Sequence, residues 1–192
     1  QRTGRPFVTL KIAATLDGRV ADDSGGPTPI SGPESALFVH ALRGDVDAVL
    51  IGTGTAIIDN PRLTVREADG RMADRQPLRV VIGERDLPRS LRIFTDEALT
   101  VHLRTRVLTE VMADLAGRGV QQVLLEGGPS LAAAFLNEGL VDEVVWLLAP
   151  RLFGVGPVAL GPMSGPLLVD VREFGRIGDD VLLRGAPRTP AH

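Results

Sequence analysis

The sequence predicts an α/β fold: a mostly parallel central sheet with helices on both faces and an antiparallel C-terminal edge. Three observations predict it. Apolar runs of strand length alternate with amphipathic runs of helix length from residue 7 to residue 148. Those apolar runs are near-continuous rather than alternating, as strands covered on both faces are. After Pro150 the helical periodicity ends, and two strand-like runs, Leu167–Phe174 and Asp180–Arg184, close the chain as an antiparallel pair.

In order, Gln1–Pro6 is polar and reads as a tail or linker. Phe7–Ala14 is a central strand with Lys11 inside it. Asp17-Gly18 is a turn, and Asp22–Pro33 is a loop rich in Asp, Ser, Gly and Pro, long enough to bind something. Ser31 caps a helix with Glu34 as its capping-box partner. That helix runs to Arg43, turns Leu37, Phe38, Ala41 and Leu42 to the core, and stops at Gly44. Asp47–Ile51 is a buried strand ending in Gly52-Thr-Gly-Thr55, and residues 56–66 form a short helical turn and loop. Strands follow at Leu78–Gly83, Leu99–Arg104, Val120–Leu125 and Val141–Leu148. Helices fall at Leu108–Gly117 and Ser130–Asn137, the second with Pro129 in its first turn. The reading is one domain over 7–185, with a disordered tail over 186–192.

Composition narrows the function classes. The chain has 192 residues, 44% hydrophobic and 23% charged, as an ordinary globular domain has. A net charge of −3 gives no general affinity for nucleic acid, so any anion must be met by placed arginines or backbone N–H groups. With no cysteine there are no disulfides, thiolate metal sites or cysteine nucleophiles. Three scattered histidines make no metal cluster, and His40 reads as a surface or packing residue. No apolar run is long enough to span a bilayer, and no signal-peptide pattern opens the chain. A cytoplasmic protein that binds neither membrane nor nucleic acid is expected.

Parallel α/β sheets bind ligands beyond the carboxyl ends of their strands. The 15–33 loop, the Gly52–Thr55 turn, the Asp59–Arg66 segment and Glu126-Gly127-Gly128 are all placed there. Glycines before the helix at Ser130 suit a diphosphate cradle, since a helix N-terminus offers free N–H groups, although a tight turn alone would also explain them. No dinucleotide fingerprint or Walker A sequence is present. Arg43 and Arg66 are candidates for a substrate phosphate, because guanidinium forks match phosphate oxygens. Asp59 and Glu126, each just past a buried strand, can orient a substrate or handle a proton, or can serve merely as a helix cap and a solvated strand end. A charge inside a buried strand is costly unless used or paired, which singles out Lys11.

Taken together, Arg5-Pro-Phe-Val-Thr-Leu-Lys11-Ile-Ala-Ala-Thr-Leu-Asp17-Gly18, Asp47-Ala-Val-Leu-Ile-Gly-Thr-Gly-Thr55, Asp59-Asn-Pro-Arg-Leu-Thr-Val-Arg66, Leu125-Glu126-Gly127-Gly128-Pro129-Ser130-Leu131 and Val141-Asp-Glu resemble the reductase domain of the bifunctional riboflavin-biosynthesis deaminase/reductase. The likeness covers roughly residues 5–185. It implies a dihydrofolate-reductase-like fold and NADPH-dependent reduction of 5-amino-6-(5-phosphoribosylamino)uracil to the ribitylamino product. By motif position it implies that Lys11 meets the ribose near the reacting carbon. Arg43, Leu63 and Arg66 would hold the phosphate and its surroundings, Ser31 the ribose or phosphate, and Glu126 the pyrimidine. Thr55 and Asp59 would line the nicotinamide side, while Gly127, Gly128, Pro129, Ser130 and Leu131 would wrap the cofactor diphosphate. Arg85, just past the third strand, is placed to meet the 2′-phosphate.

One motif departs from the family. Pro27-Thr28-Pro29-Ile30-Ser31 stands where the family usually has Ser-x-Trp-Ile-Thr/Ser, which leaves open whether the substrate is the deaminated or the non-deaminated pyrimidine. The family's zinc deaminase signature is absent from this chain. The chain therefore reads either as the isolated reductase half or as a stand-alone reductase, with the deaminase fused or separate, and the arginine-bearing start at Gln1 favours a trimmed half. A homodimer is expected, through Val141–Leu148 and the late strands. Two other readings keep the residues and change the role: a related enzyme acting on another pteridine or pyrimidine, and a non-catalytic nucleotide-binding module.

Overall fold

The structure is a computed structural model that describes residues 4–24, 28–67 and 69–190. In chain order its elements are β1 (Phe7–Thr15), α1 (Pro33–Asp45), β2 (Ala48–Gly52), α2 (Thr53–Ile58), β3 (Leu78–Ile82), a 3-10 turn (Arg92–Phe94), β4 (Thr100–Leu103), α3 (Leu108–Gly117), β5 (Gln122–Leu125), α4 (Pro129–Asn137), β6 (Glu143–Ala149), β7 (Leu168–Ile177) and β8 (Asp180–Arg188). The class is the expected one: α/β, mostly parallel, with antiparallel pairing confined to the C-terminal strands. The chain divides into two compact units, Gln1–Phe7 with Leu37–Gly127 and Val8–Ala36 with Gly128–His192. The expected tail at Gln1–Thr3 and part of the long loop, Pro27 included, lie outside the described residues.

The first unit holds four parallel strands in the order β4-β3-β2-β5. β2 is central in it, and Ala48, Val49, Leu50 and Ile51 are all fully buried, which is why that run is apolar at every position. Val49, Ile51, Val81, Leu91, Ile93 and Leu124 form one cluster with Ala56 and Leu63. Burial on this scale contributes about 25 cal/mol per Å² of apolar surface. α3 buries Leu108, Val111, Met112 and Leu115, the face its periodicity predicts. Asp47 stands before β2, and its Oδ2 accepts the N–H groups of Gln121 (2.9 Å) and Gln122 (3.0 Å) at the foot of β5. That carboxylate sets the register of two parallel strands that no hairpin could set.

The second unit holds the order β1-β6-β8-β7, with β1 parallel to β6 and the rest antiparallel. Asp142 Oδ2 takes the Val8 N–H at 2.8 Å. α4 starts at Pro129, whose missing N–H costs a first-turn residue nothing, and buries Ala132, Ala133, Phe135 and Leu136.

Three local expectations need correction. α1 begins at Pro33, so Gly32 rather than Ser31 closes its first turn: the Gly32 carbonyl accepts from Ala36 N–H (3.1 Å), and its own N–H donates to Asp180 (2.8 Å). A proline suited to the first helical position overrode the Ser-x-x-Glu pattern. Along α1 the buried residues are Ser35 and Val39; of the expected face Leu42 packs against the core and Phe38 is half-buried, while Leu37 (52%) and Ala41 are exposed, and the helix continues through Gly44 to Asp45. β8 runs to Arg188, three residues into the expected tail. Pro187 pairs there with Val169 of β7, past Gly185 where pairing with β6 stops, and a strand with one neighbour tolerates a missing donor.

Candidate functional site

In the first unit, the carboxyl end of β2 passes directly into α2, one residue after Gly52 and earlier than expected. Thr53 is buried and Thr55 half-buried. Asp59 follows the helix, its N–H bonded to Thr55 O at 3.0 Å. Asp59 is an exposed residue, yet desolvation by the protein around its carboxyl pushes the pKa above the ordinary value of 3.8. Just beyond it the backbone is strained. Asn60 (φ 42°) and Leu63 (φ 52°) are the described non-glycine residues with left-handed backbone. Such a conformation costs about 1–3 kcal/mol per residue and clusters where a chain positions a ligand. Leu63 is 3% exposed and belongs to the core cluster, so its side chain is committed to packing.

Arg43 and Glu126, assigned from sequence to different parts of a ligand, meet each other. Arg43 Nε donates to Glu126 Oε1 at 2.6 Å and Nη2 to Oε2 at 2.9 Å, a bidentate fork between side chains only 16% and 11% exposed. Arg43 Nη1 reaches the Thr64 carbonyl at 3.4 Å. Burial pulls the guanidinium's pKa down, but the charge and hydrogen bonds of Glu126 more than offset this, and the net shift is upward. α1 supplies the arginine from its last turn and β5 presents the glutamate at its end. On the same helix, His40 Nδ1 accepts the Arg66 N–H at 3.3 Å. Burial and then the Arg43 charge lower the His40 pKa, so the ring is neutral and its acceptor nitrogen is maintained. Arg66 Nη1 donates to Gly70 O at 2.9 Å, and its Nη2 stands 4.0 Å from Glu97.

Two groups in this unit escaped the sequence reading. Arg79 of β3 is fully buried, and Glu97 bridges toward both Arg62 and Arg66. Arg79 carries the signal that singled out Lys11, a charge within an apolar strand, and the same reasoning would have found it. Glu97 lies in a polar link and gave no signal. Arg85 is exposed on the bend after β3, between Glu84 and Asp86, which pair with Arg106 (3.1 Å) and Arg104 respectively.

In the second unit, Lys11 occupies the middle of β1, half-buried, with its Cα opposite that of Val145 on β6. Ser31 is half-buried just ahead of α1. Gly128, Pro129, Ser130 and Leu131 open α4. Gly128 has φ −67° and ψ 174°, a conformation any residue adopts, so a tight turn does not require glycine there. Nearby, Asp17 ties the Phe153 loop to the end of β1. Its carboxylate accepts the Thr15 hydroxyl (2.5 Å) and the N–H groups of Phe153 (3.2 Å) and Gly154 (2.6 Å). Those bonds, that of Thr15 first, lower its pKa from 3.8 to about 2. Arg19 Nη1 adds a bond to Gly156 O at 2.9 Å.

These strand ends and motifs have relatives of known family. A family model described as the RibD C-terminal domain matches residues 6–183, and the chain belongs to that family. The riboflavin biosynthesis protein RibD of Mycobacterium tuberculosis is 43% identical over 188 residues, which are 95% of this chain and 55% of that protein. The chain thus spans about half the length of the first RibD relatives it matches. A 2,5-diamino-6-ribosylamino-4(3H)-pyrimidinone 5′-phosphate reductase of Methanothermobacter thermautotrophicus is 32% identical, with 93% of this chain matched to 97% of that one. Among solved structures, Acinetobacter baumannii RibD superposes with a TM-score of 0.85 at 29% identity, over 97% of this chain and 59% of that one. Enterococcus faecalis dihydrofolate reductase superposes with a TM-score of 0.57 at 12% identity, over 95% of this chain and 97% of that one, a likeness of fold alone. The fold is accordingly dihydrofolate-reductase-like. Among the described residues no helix is long and apolar enough to cross a membrane, and no cluster of three potential metal ligands occurs.

Proposed function

We propose that this chain is the reductase part of the riboflavin pathway, reducing 5-amino-6-(5-phosphoribosylamino)uracil to its ribitylamino product with NADPH. The observation that carries the reading is the family match over residues 6–183, supported by a full-length relative named as a pyrimidinone phosphate reductase. A nicotinamide cofactor is supported by the start of α4 at Pro129, since first-turn N–H groups of a helix suit a diphosphate. When bound, NADPH supplies a hydride to C1′ of the ring-opened ribosyl imine, while the imine nitrogen takes up a proton. Asp59, whose carboxyl is pushed up by desolvation, holds that proton at its carboxylate oxygen. Lys11 orients the ribose near the reacting carbon. Arg66 holds the substrate phosphate, the Leu63 backbone supports it, and Ser31 meets the ribose or phosphate. Glu126, fixed by Arg43, receives the pyrimidine. Thr55 lines the nicotinamide side, and Arg85 meets the 2′-phosphate. We assign the protein to the cytoplasm.

The relatives include both a RibD and a diaminopyrimidinone reductase, so the non-deaminated pyrimidine is a second substrate for test. Assaying both pyrimidines and dihydrofolate with the same enzyme separates the readings, and equal or better turnover of dihydrofolate would overturn the first. Replacing Asp59 with Asn is expected to lower kcat about a hundredfold or more at unchanged Tm. An unaltered kcat would remove Asp59 from the reacting centre.

We also propose a homodimer. β6 does not offer the expected interface, because it lies between β1 and β8 with Val144, Val145 and Leu147 buried. The exposed apolar surface is on β7, an edge strand that presents Leu168, Val169, Val171 and Phe174. Light scattering on the wild type and on Phe174→Glu tests it; a wild type that is monomeric at micromolar concentration contradicts it.

A further inference from the structure

We infer that Arg79 is a positioning residue for the Asp59–Arg66 segment and, on the reductase reading above, for recognition of the phosphorylated substrate. Arg79 is the largest fully buried side chain described. A buried guanidinium is ordinarily met by a carboxylate, as Arg43 is. This one is met by three main-chain carbonyls and one hydroxyl. Nη1 donates to Arg62 O (3.2 Å) and to Thr95 Oγ1 (3.4 Å), and Nη2 donates to Thr95 O (2.6 Å) and to Ala98 O. The carbonyls come from two stretches that the sequence separates by some thirty residues: the segment after α2 and the link between the 3-10 turn and β4.

Further ties join the same two stretches. Asn60 Oδ1 accepts the Arg92 N–H at 2.7 Å. The Arg62 guanidinium pairs with Glu97, which also accepts the Thr95 hydroxyl at 2.8 Å. The strained turn is therefore held at Asn60 by a side-chain acceptor, at Arg62 by its carbonyl and guanidinium, and at Leu63 by burial of its side chain. Left-handed backbone at two non-glycine residues persists only where the surroundings over-determine it. Arg79 is the one member of this set that reaches both stretches from inside a strand. An apolar residue would fill its place without the desolvation cost. What the cation adds is a set of donors fanned to gather carbonyls from two loops. Asp59 on one side of the turn and Arg66 on the other take their positions from it. Arg79 itself touches no ligand in this scheme.

The test uses the full chain with Arg79→Lys, and Asn60→Gly as a second variant that tolerates the left-handed backbone while losing the tether to Arg92. Arg79→Lys is expected to raise KM for the phosphorylated pyrimidine about tenfold, leave the NADPH Kd within about twofold, and speed amide exchange at residues 60–66 while β2 stays protected. Asn60→Gly is expected to move KM and the local exchange the same way, by less. A merely structural arginine would lower Tm and loosen the whole unit with KM unchanged; that result, or unchanged exchange over 60–66 in both variants, overturns the inference. If Arg79→Lys does not fold, Asn60→Gly with unchanged KM and exchange overturns it by itself. A wild type that oxidises no NADPH with any of the pyrimidines sinks the reductase reading instead, and the exchange result then decides the clamp alone.

Discussion

The two buried arginines of the first unit solve one problem in opposite ways. Arg43 faces a carboxylate, and the fork with Glu126 makes the pair nearly neutral. Arg79 faces only carbonyl and hydroxyl oxygens, and burial lowers its pKa, with the more distant Glu97 opposing the shift. The first arrangement fixes two side chains, one from α1 and one from β5. The second fixes two loops. The difference shows that a buried cation in this fold is neutralised by a side chain in one place and gathers main-chain oxygens in another.

The largest effect expected comes from breaking the neutral pair. Glu126→Ala should cost about 3–5 kcal/mol in denaturant unfolding, because Arg43 is left buried without its counter-charge. The double change Arg43→Met with Glu126→Leu should recover most of that loss while abolishing turnover. If the single variant is as stable as wild type, the pair is not as dry as its exposure implies. A smaller effect tests the third arginine of this region, which is 36% exposed and reaches Glu97 only at 4.0 Å. Arg66→Ala should raise KM about tenfold for the phosphorylated pyrimidine and much less for its dephosphorylated form. A uniform loss across both would remove it from the phosphate.

The second unit offers a carboxylate to set beside these cations. Asp17 has a folded pKa of about 2 against 3.8 unfolded, so its contribution is fully present above pH 3.8 and is lost as pH falls toward 2. Acid unfolding of Asp17→Asn should lack that limb, and an unchanged acid profile would contradict the knot at Phe153 and Gly154. The smallest effect expected is at Arg71–Asp69, where the side chains are 81% and 51% exposed. Arg71→Ala should stay within about 0.5 kcal/mol of wild type by thermal unfolding. A larger change would mean that exposure is a poor guide to which ion pairs matter here.

Much of the fold was legible because burial writes itself into composition. The β2 run is apolar at every position since both faces are covered, and α3 shows its buried stripe at the helical period. α1 was misread in part of its facing because Leu37 is exposed and Ser35 buried, an inversion that periodicity cannot signal. Glu126 was legible as a strand end, whereas Thr55 lies inside α2 and Asp59 follows that helix rather than a strand. The pairing of Arg43 with Glu126 was not legible: nothing in their spacing says that they meet, because the last turn of α1 and the end of β5 are brought together by packing of segments far apart in sequence. Leu63 was marked by its motif, but its left-handed backbone and buried side chain belong to the clamp around it. Glu97, in a polar link, carries no local signature at all.

The most direct measurement is NADPH oxidation, followed by loss of the reduced nicotinamide's near-ultraviolet absorbance, with 5-amino-6-(5-phosphoribosylamino)uracil as substrate and NADH in a parallel reaction. The expected result is oxidation that requires the pyrimidine, is faster with NADPH than with NADH, and falls about a hundredfold in Asp59→Asn. Folded protein that binds NADPH and oxidises none with this pyrimidine would contradict it.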